Sequence, residues 1–334
     1  MKIICVGDIH FKVSNYKGDF LFCRSVVRFA QRHKPDAIVL MGDVLDQHEK
    51  IHVSPFNLAC RLIRRLRLIA PVFVLVGNHD FANNTEFQSE NHWMLPLKHW
   101  SKRVHIIDKA QIMSVCGVQF TFCPYVFPGR FQEALDSAGA WRTSAAVFAH
   151  QEIRGVKMGA FVSVVGDEWD ADAPLLISGH IHERQQLRAN VYYTGSSKPV
   201  SFGDDTHGLT TLEIADGEMT VEHHELKDIP RKVSLTCDLG DIASFDLECA
   251  AHDEVRLKVL GTTEEFKVFK KTACYKNLMK RGVKVALRLR GAHIVDEAAV
   301  TTQSGLSFLK ALQEAIARED NAELKQTFDA IISA

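Results

Sequence analysis

The chain has 334 residues, of which 46% are hydrophobic and 24% charged, and its formal net charge is −1. This length suits about two domains, and the apolar share is ordinary for globular proteins, which excludes a chain too polar to bury a core. A net charge near zero does not decide for or against a nucleic-acid partner until the distribution of charge is considered.

The apolar run at the amino terminus is short and is broken at once by Asp8 and His10. It therefore has the form of neither a signal peptide nor a membrane span. We expect a cytoplasmic protein with no membrane association. The eight cysteines form no C-x-x-C pair, which favours reduced thiols.

Five short apolar segments have the length and composition of buried strands, and each is followed by metal-capable side chains. The segments are Lys2 to Val6, Ala37 to Leu40, Val72 to Val76, Ala145 to Ala149 and Leu175 to Ser178. In the same order, the side chains are Asp8 and His10; Asp43 and Asp46; Asn78, His79 and Asp80; His150; His180 and His182. Ligands of open α/β sheets bind outside the carboxyl ends of strands, so these residues are expected to share one site. The alternative, coincidental turn chemistry, would require the same coincidence at every strand.

Helices and a hairpin are predicted between these strands. The first helix is expected to have Asp19 as its N-cap, and the second to begin at Ser54-Pro55. A short helix is predicted over His92 to Leu97. The turn Cys116-Gly117 separates two short strands and predicts a hairpin.

The composition shifts near Pro230, and a separate module follows. Val255 to Leu260 predicts a strand, and Val283 to Leu289 predicts a second strand. Thr262 to Lys280, which starts with the capping box Thr262-x-x-Glu265, predicts a helix between them. From residue 256 to 290 there are eleven Lys or Arg against two Glu, a local net charge of +9. Such clustering is typical of a surface that binds a phosphate backbone, although a solvated helix face is the alternative.

Five motifs resemble those of the calcineurin-like metallophosphoesterase superfamily. They are Asp8-x-His10, Gly42-Asp43-x-x-Asp46, Gly77-Asn78-His79-Asp80, His150 and Gly179-His180-x-His182. Further details resemble the SbcD branch, which includes phage nucleases and processes DNA double-strand breaks. These details are Asp46, His150-Gln151, Tyr193-Thr194-Gly195-Ser196-Ser197 and Phe202-Gly203-Asp204.

The resemblance implies an α/β fold, a four-layer α-β-β-α metallophosphoesterase sandwich with a small α/β cap domain and C-terminal helices. We accordingly predict three regions. Residues 1–226 form the metallophosphoesterase (nuclease) domain, residues 227–300 form a basic α/β cap that binds DNA, and residues 301–334 form partner-binding helices.

The resemblance also implies a site for two divalent metal ions. By that resemblance, the ligands of one ion are Asp8, His10 and His182, those of the other are Asn78, His150 and His180, and Asp43 bridges both. His79 matches a catalytic histidine that is not a ligand and that stabilises or protonates the leaving oxygen. Imidazole, carboxylate and amide donors without a thiolate favour Mn²⁺, with Mg²⁺ as the alternative. Asp46 occupies a position where cellular relatives of the break-repair nuclease often carry a histidine. His48 and His52 are near enough in sequence to substitute for it, but we interpret both as ordinary loop histidines.

The function implied is that of an Mn²⁺-dependent DNA exonuclease and endonuclease in DNA end processing, recombination and repair. The implied partners are DNA, an SbcC-type ATPase and a second copy of the chain. Phe56 and Leu58 are candidates for the dimer interface, although core packing alone would explain them. A small-molecule nucleotide or cyclic-nucleotide phosphodiesterase is the first alternative. A non-catalytic scaffold is the second, and the intact ligand set argues against it.

The tail predicts two short amphipathic helices. Their apolar faces consist of Leu309, Leu312 and Ile316, and of Leu324, Phe328, Ile331 and Ile332, with Asp320-x-x-Glu323 as a capping box. Helices shorter than about 12 to 15 residues are marginal in water, so these faces need a cover. The chain's own cap domain is one candidate, and the coiled-coil base of an SbcC-type ATPase is the other.

Overall fold

The computed structural model describes residues 1–159, 161–202, 207–242, 245 and 253–290, with the isolated positions 316, 325 and 328. The chain divides into two units, Met1–Arg290 and Gly291–Ala334. Two predicted features lie entirely outside the described residues: the capping box Asp320-x-x-Glu323 and the dipeptide Gly203-Asp204. The predicted apolar faces of the tail also lie outside them, apart from the isolated positions. The following paragraphs concern the first unit.

The first of two large sheets has a parallel centre. Its strands are β1 (Lys2–Val6), β2 (Ala37–Leu40), β3 (Val72–Leu75), β4 (Val104–Ile107), β13 (Gly208–Ala215) and β14 (Glu218–Glu225). Their spatial order is β14-β13-β1-β2-β3-β4, with β1 to β4 parallel and β13 antiparallel to β1. The carboxyl ends of β1, β2 and β3 therefore meet at one edge, where a site is expected.

The second large sheet is also mixed. Its strands are β5 (Gln111–Val115), β6 (Val118–Phe122), β7 (Ala146–Ala149), β10 (Leu175–Ser178), β11 (Gln185–Arg188) and β12 (Val191–Tyr193). Their spatial order is β11-β12-β10-β7-β6-β5, and β7 and β10 are parallel. β5 and β6 form the predicted hairpin. A separate two-stranded sheet consists of β8 (Lys157–Met158) and β9 (Phe161–Val162).

Helices cover the outer faces of both large sheets. α1 (Tyr16–His33) and α2 (Val53–Leu66) contribute to a core with the first sheet, and α3 (Phe131–Ser137) contributes to a core with the second. A third core joins the two sheets, where Phe73 and Phe122 stack with ring centroids 4.5 Å apart. The predicted α-β-β-α sandwich is thereby confirmed. Among the described helices, none combines the length and apolarity that a membrane span requires.

A small parallel sheet follows, made of β15 (Lys232–Asp238), β16 (Glu254–Gly261) and β17 (Lys284–Leu289) in that spatial order. α4 (Thr263–Phe269) and α5 (Ala273–Lys280) connect β16 to β17. Buried and half-buried residues alternate along β16, and the buried ones pack with Phe266 and Leu278 of the helices. The helices therefore cover one face of this sheet, and the alternate side chains of the strands point to the other face.

Three local predictions were wrong. The segment from Thr262 to Lys280 is two helices, because Thr272 starts α5 by accepting a hydrogen bond from the backbone N–H of Tyr275 at 3.2 Å. Asp19 is not an N-cap; it lies buried in the first turn of α1 and pairs with Lys198. The segment predicted as a helix from residue 92 contains only a short 3-10 helix, Leu95–Leu97. The capping box at Thr262 is confirmed.

Candidate metal centre

The turns after β1, β2, β3, β7 and β10 bring the predicted site residues into one cluster. Three groups have possible ligand atoms within 4.8 Å of one another: Asp8, His10 and His182; His10, Asp43 and His79; Asp43, His150 and His180. His10 and Asp43 each belong to two groups, so the three groups are continuous. A carboxylate that lies between two ions must have ligand atoms of both sites nearby, and the bridging role of Asp43 stays a prediction.

Imidazole rings crowd one end of the cluster. The Nε2 atoms of His10 and His182 lie 3.0 Å apart, and His10 Nε2 lies 3.6 Å from Asp43 Oδ2. The carboxylate of Asp8 accepts a hydrogen bond from the backbone N–H of His180 at 2.9 Å. This contact connects the turn after β1, in the first sheet, to the turn after β10, in the second.

At the other end of the cluster, the side-chain amide of Asn78 lies between two histidines. Its Oδ1 lies 3.1 Å from His150 Nε2 and 3.0 Å from His180 Nδ1. His150 Nε2 also lies 3.4 Å from Asp43 Oδ1, while His150 Nδ1 donates to the carbonyl of Met41 at 2.7 Å. Because a carbonyl only accepts hydrogen bonds, this contact leaves Nε2 as the nitrogen that faces the cluster.

The backbone of the site is forced into unusual conformations. His10, Asp43 and His180 have φ values of 48°, 49° and 77°, in the left-handed region that non-glycine residues seldom adopt. Such outliers concentrate at functional sites because the surrounding structure holds them. Gly77 is required for a second reason: a Cβ there would collide with the backbone nitrogen and carboxylate of Asp43.

Asp80 holds two of the site turns together. Its carboxylate accepts hydrogen bonds from the backbone N–H groups of Val44, Leu45 and Gly77 and from Trp93 Nε1, the last at 2.7 Å. Burial, with the charge of Asp43, raises the pKa of Asp80 to about 6. Asp80 thus links the turn after β2 to the turn after β3.

Burial and mutual charge set the electrostatics of the cluster. Burial raises the pKa of Asp8 and lowers the pKa values of His10 and His180, to about 3 for His180. For His150, burial acts to lower the pKa, but Asp43 outweighs it and raises the pKa to about 9. Burial likewise acts to raise the pKa of Asp43, but His150 holds it below its usual range. The neutral imidazoles are in the form that binds metal.

The residues fit divalent metal ions. Asp8 Oδ2 is buried and, within the described part of the chain, has no hydrogen-bond partner. An unpaired buried carboxylate oxygen is costly, and two buried carboxylates in one cluster require compensating positive charge. The donors are imidazole nitrogens, carboxylate oxygens and one amide oxygen. Two ions held by them would supply the positive charge that clamps a phosphate and lowers the pKa of an attacking water.

His79 is fixed by its surroundings, and within the described part of the chain its Nε2 has no hydrogen-bond partner. Its Nδ1 donates to the backbone carbonyl of Asp46 at 3.0 Å, and its backbone N–H donates to Asp43 Oδ1 at 2.9 Å. The remaining nitrogen, Nε2, is available to a substrate oxygen. Its predicted role as a proton donor that is not a ligand stays a prediction.

Two residues near the site were not expected from the sequence. His48, interpreted as an ordinary loop histidine, instead stacks on His79 with ring centroids 4.9 Å apart and planes 16° apart. The ring of Tyr125 lies 5.5 Å from that of His180. His48 lies in a loop, and Tyr125, although it follows β6 as closely as Asp43 follows β2, is not one of the residue types sought as metal ligands. His52 is bonded to Gln47 at the surface, as expected of a loop residue.

A family model described as Calcineurin-like phosphoesterase matches residues 1–184. The chain belongs to the calcineurin-like phosphoesterase family. The predicted superfamily is therefore confirmed, and the metal-capable cluster lies in a phosphoesterase, a hydrolase.

Two viral proteins resemble this calcineurin-like phosphoesterase over most of its length. "Putative phosphoesterase 078R" of Invertebrate iridescent virus 3 is 37% identical over 331 residues, which cover 97% of this chain and 94% of that protein. "Putative phosphoesterase 244L" of Invertebrate iridescent virus 6 is 38% identical over 276 residues, 81% of this chain and 97% of that protein. Both names give the reaction class, and neither gives a substrate.

A solved structure described as "GAP50 the anchor in the inner membrane complex of Plasmodium" is also similar. Its TM-score is 0.43 at 16% sequence identity, and the match covers 68% of this chain and 85% of that chain. A similarity this weak carries no argument about function.

Proposed function

We propose that this phosphoesterase is an Mn²⁺-dependent DNA nuclease of the SbcD type, with exonuclease and endonuclease activity in DNA end processing, recombination and repair. One observation carries the choice of substrate. The eleven Lys and Arg residues between positions 256 and 290 are all exposed or half-buried, on a module that holds only two Glu in that range. Exposed cations at this density are the means by which proteins bind a phosphate backbone.

The residues of the cluster have separate tasks in this proposal. Asp8, His10 and His182 would hold one ion, Asn78, His150 and His180 would hold the other, and Asp43 would contribute its carboxylate to both. His79 donates a proton from Nε2 to the leaving oxygen as the phosphodiester bond breaks. An imidazole suits this step because its unperturbed pKa lies near neutrality. Asp80 keeps the turns that carry Asp43 and Asn78 in register.

A nucleotide or cyclic-nucleotide phosphodiesterase is the second candidate, and a cavity near the site favours it. The cavity has a volume of about 300 Å³ and is lined by Phe11, Lys12, Asp46 and Gln47, among others. Asp46 Oδ1 lies 3.5 Å from His10 Nδ1, so the cavity borders the cluster. Its volume is at the lower end of what small-molecule sites offer.

One experiment separates the two candidates. Linear duplex and single-stranded DNA are digested with purified protein and Mn²⁺, beside a cyclic-nucleotide assay under the same conditions. We expect DNA cleavage that EDTA abolishes and that the His79→Ala variant largely lacks. Hydrolysis of the cyclic nucleotide with DNA left intact would exclude the nuclease.

The proposal includes a homodimer. Leu58 is buried in the core and Phe56 packs edge-on against Trp93, with centroids 5.7 Å apart, so core packing accounts for both. The exposed apolar side chains at the two ends of α2, Val53 and Leu68, support a contact there instead. Sedimentation of the wild type beside the Val53→Ser/Leu68→Ser variant tests this contact: a dimer that the double change does not weaken would exclude it.

The proposal also includes an SbcC-type ATPase bound by residues 301–334. We expect deletion of residues 303–334 to leave a folded, Mn²⁺-dependent nuclease that no longer co-purifies with such an ATPase. An insoluble truncation would favour an intramolecular cover for the tail. A truncation that still binds the ATPase would exclude the tail as the binding segment.

A further inference from the structure

The basic residues of the small module lie on two opposite faces. Lys267 and Lys280 are exposed on the helices that cover one side of the sheet, and Lys271 is exposed in the turn between these helices. Arg256 and Lys284 are paired neighbours on β16 and β17, and they belong to the alternate set that points away from those helices. The net charge counted over residues 256–290 combines these two groups, and only the tertiary structure shows that they lie on opposite faces.

An aromatic ring lies against the helix-free face. The guanidinium carbon of Arg256 is 4.2 Å from the ring centroid of Phe202, and the amines of Lys284 and Lys232 are 5.3 Å and 5.9 Å from it. Three cations thus surround one ring. We call Phe202, Lys232, Arg256 and Lys284 the platform.

The positive charge of the platform is only partly neutralised. Lys284 pairs with Glu254 at 3.3 Å, whereas Arg256 has no ion pair with any described carboxylate. Burial lowers the pKa of Lys232, and the neighbouring amines of Lys12, Lys198 and Lys284 add to that effect while Glu254 opposes it. Like charges gathered in this way repel one another unless an anion binds between them.

The platform is connected to the metal centre by the segment that follows β12. Within it, the backbone N–H of Ser196 donates to the carbonyl of His182 at 2.9 Å, and Lys198 Nζ donates to the carbonyl of His10 at 3.3 Å. Two residues further on, the carbonyl of Val200 accepts a hydrogen bond from Lys232 Nζ at 2.7 Å. The chain therefore runs from two metal-capable histidines directly to Phe202.

Lys12 is a further cation between the platform and the metal centre. Its amine lies 3.4 Å from Asp46 Oδ1, and its charge adds to the burial that lowers the pKa of Lys232. The helix-face lysines have no comparable connection within the described residues. The two faces of the module thus differ: the positive charge of the helix-free face continues towards the metal centre, and that of the helix face does not.

We propose that the platform binds the substrate strand next to the metal centre, with phosphates on Arg256, Lys284 and Lys232 and an unpaired base stacked at Phe202. This inference rests on the proposed nuclease function and adds to it the surface and the type of strand. Aromatic rings flanked by cations bind single-stranded nucleic acid because every base has a face that can stack. The helix face of the module is then turned away from the strand.

The test compares charge-matched variants of the full chain. Binding of a fluorescent oligo(dT) is measured in EDTA, which prevents cleavage, over a series of salt concentrations. We expect Arg256→Gln/Lys284→Gln to weaken binding at least tenfold and to lower the salt slope by about 1.4, at about 0.7 per lost phosphate contact. The control Lys267→Gln/Lys271→Gln should bind like the wild type. Lys232 is left unchanged because its amine also holds the Val200 carbonyl.

Stacking is tested separately with Phe202→Leu. We expect it to weaken oligo(dT) binding about fivefold or more, to leave binding of an abasic oligomer unchanged, and to be rescued by Phe202→Tyr. Thermal unfolding of each variant checks that the fold is intact. A variant that loses both probes equally would show that Phe202 acts only on structure.

The outcomes separate the platform from the nuclease proposal. If oligo(dT) binding is weakened only in the control Lys267→Gln/Lys271→Gln, or equally in both double variants, the platform does not bind the strand. The nuclease proposal is unaffected by either result. A wild type that hydrolyses a small chromogenic phosphodiester but neither binds nor cleaves DNA overturns both.

Discussion

The metal centre and the small basic module place charge in opposite ways. At the centre, Asp8, Asp43 and His150 are at most 2% exposed, and each is held by hydrogen bonds or by a constrained backbone. In the module, the cations are exposed or half-buried, and Lys284 keeps 62% of its side-chain surface exposed. Buried charges depend on every partner, whereas exposed charges contribute separately. Single changes should therefore abolish function at the centre and produce graded losses in the module.

The largest effect is expected from Asp43→Asn. Asp43 is the carboxylate proposed to contact both ions, so its loss should empty both positions and reduce phosphodiesterase activity to background. Metal content by mass spectrometry and turnover of a chromogenic diester are the measurements. Asp172→Asn, at a side chain that is 88% exposed, is the matched control. Retention of both ions in Asp43→Asn would contradict the assignment.

His79→Ala should produce the next largest effect. Loss of a proton donor costs about 10²- to 10⁴-fold in turnover, while metal content should stay close to that of the wild type because His79 is not assigned as a ligand. The surface change His99→Ala should alter neither quantity. Loss of metal in His79→Ala would instead place this residue among the ligands.

Asp80→Asn should cost less, because Asp80 acts through the turns that it joins. Removing a residue that orients metal ligands typically costs about 10- to 100-fold in metal affinity or activity. Trp93→Phe removes only one of its hydrogen-bond donors and should give a smaller loss in the same direction. Metal affinity in both variants is measured by titration. An unaltered affinity in Asp80→Asn would mean that the turns keep their geometry without it.

The smallest effect concerns the module alone. Thr262→Ala removes the capping box of α4 and should lower the free energy of unfolding by about 1 kcal/mol without changing metal content. The neighbouring Thr263→Ala is the control, since Thr263 lies within the helix and does not cap it. If Thr262→Ala altered metal binding, the two regions would be coupled more strongly than their separate cores indicate.

The comparison also explains what the sequence could reveal. The site residues were predictable because parallel strands deliver their carboxyl ends to one edge, so Asp8, Asp43 and His180 meet although they are far apart in the chain. His48 was not predictable, since its stacking on His79 depends on the path of a loop. The two faces of the small sheet could not be separated either: the position of Phe202 beside Arg256 is a tertiary contact with no periodic pattern. Thr272 is a local example. The segment from Thr262 to Lys280 was predicted as one helix, but the cap formed by Thr272 divides it into two.

The account depends most directly on two adjacent metal positions, and calorimetric titration with Mn²⁺ tests them. We expect two ions per chain in the wild type and in His79→Ala, and none bound tightly in Asp43→Asn. A single ion per chain in the wild type, unaffected by Asp43→Asn, would contradict the shared carboxylate and with it the proposed mechanism.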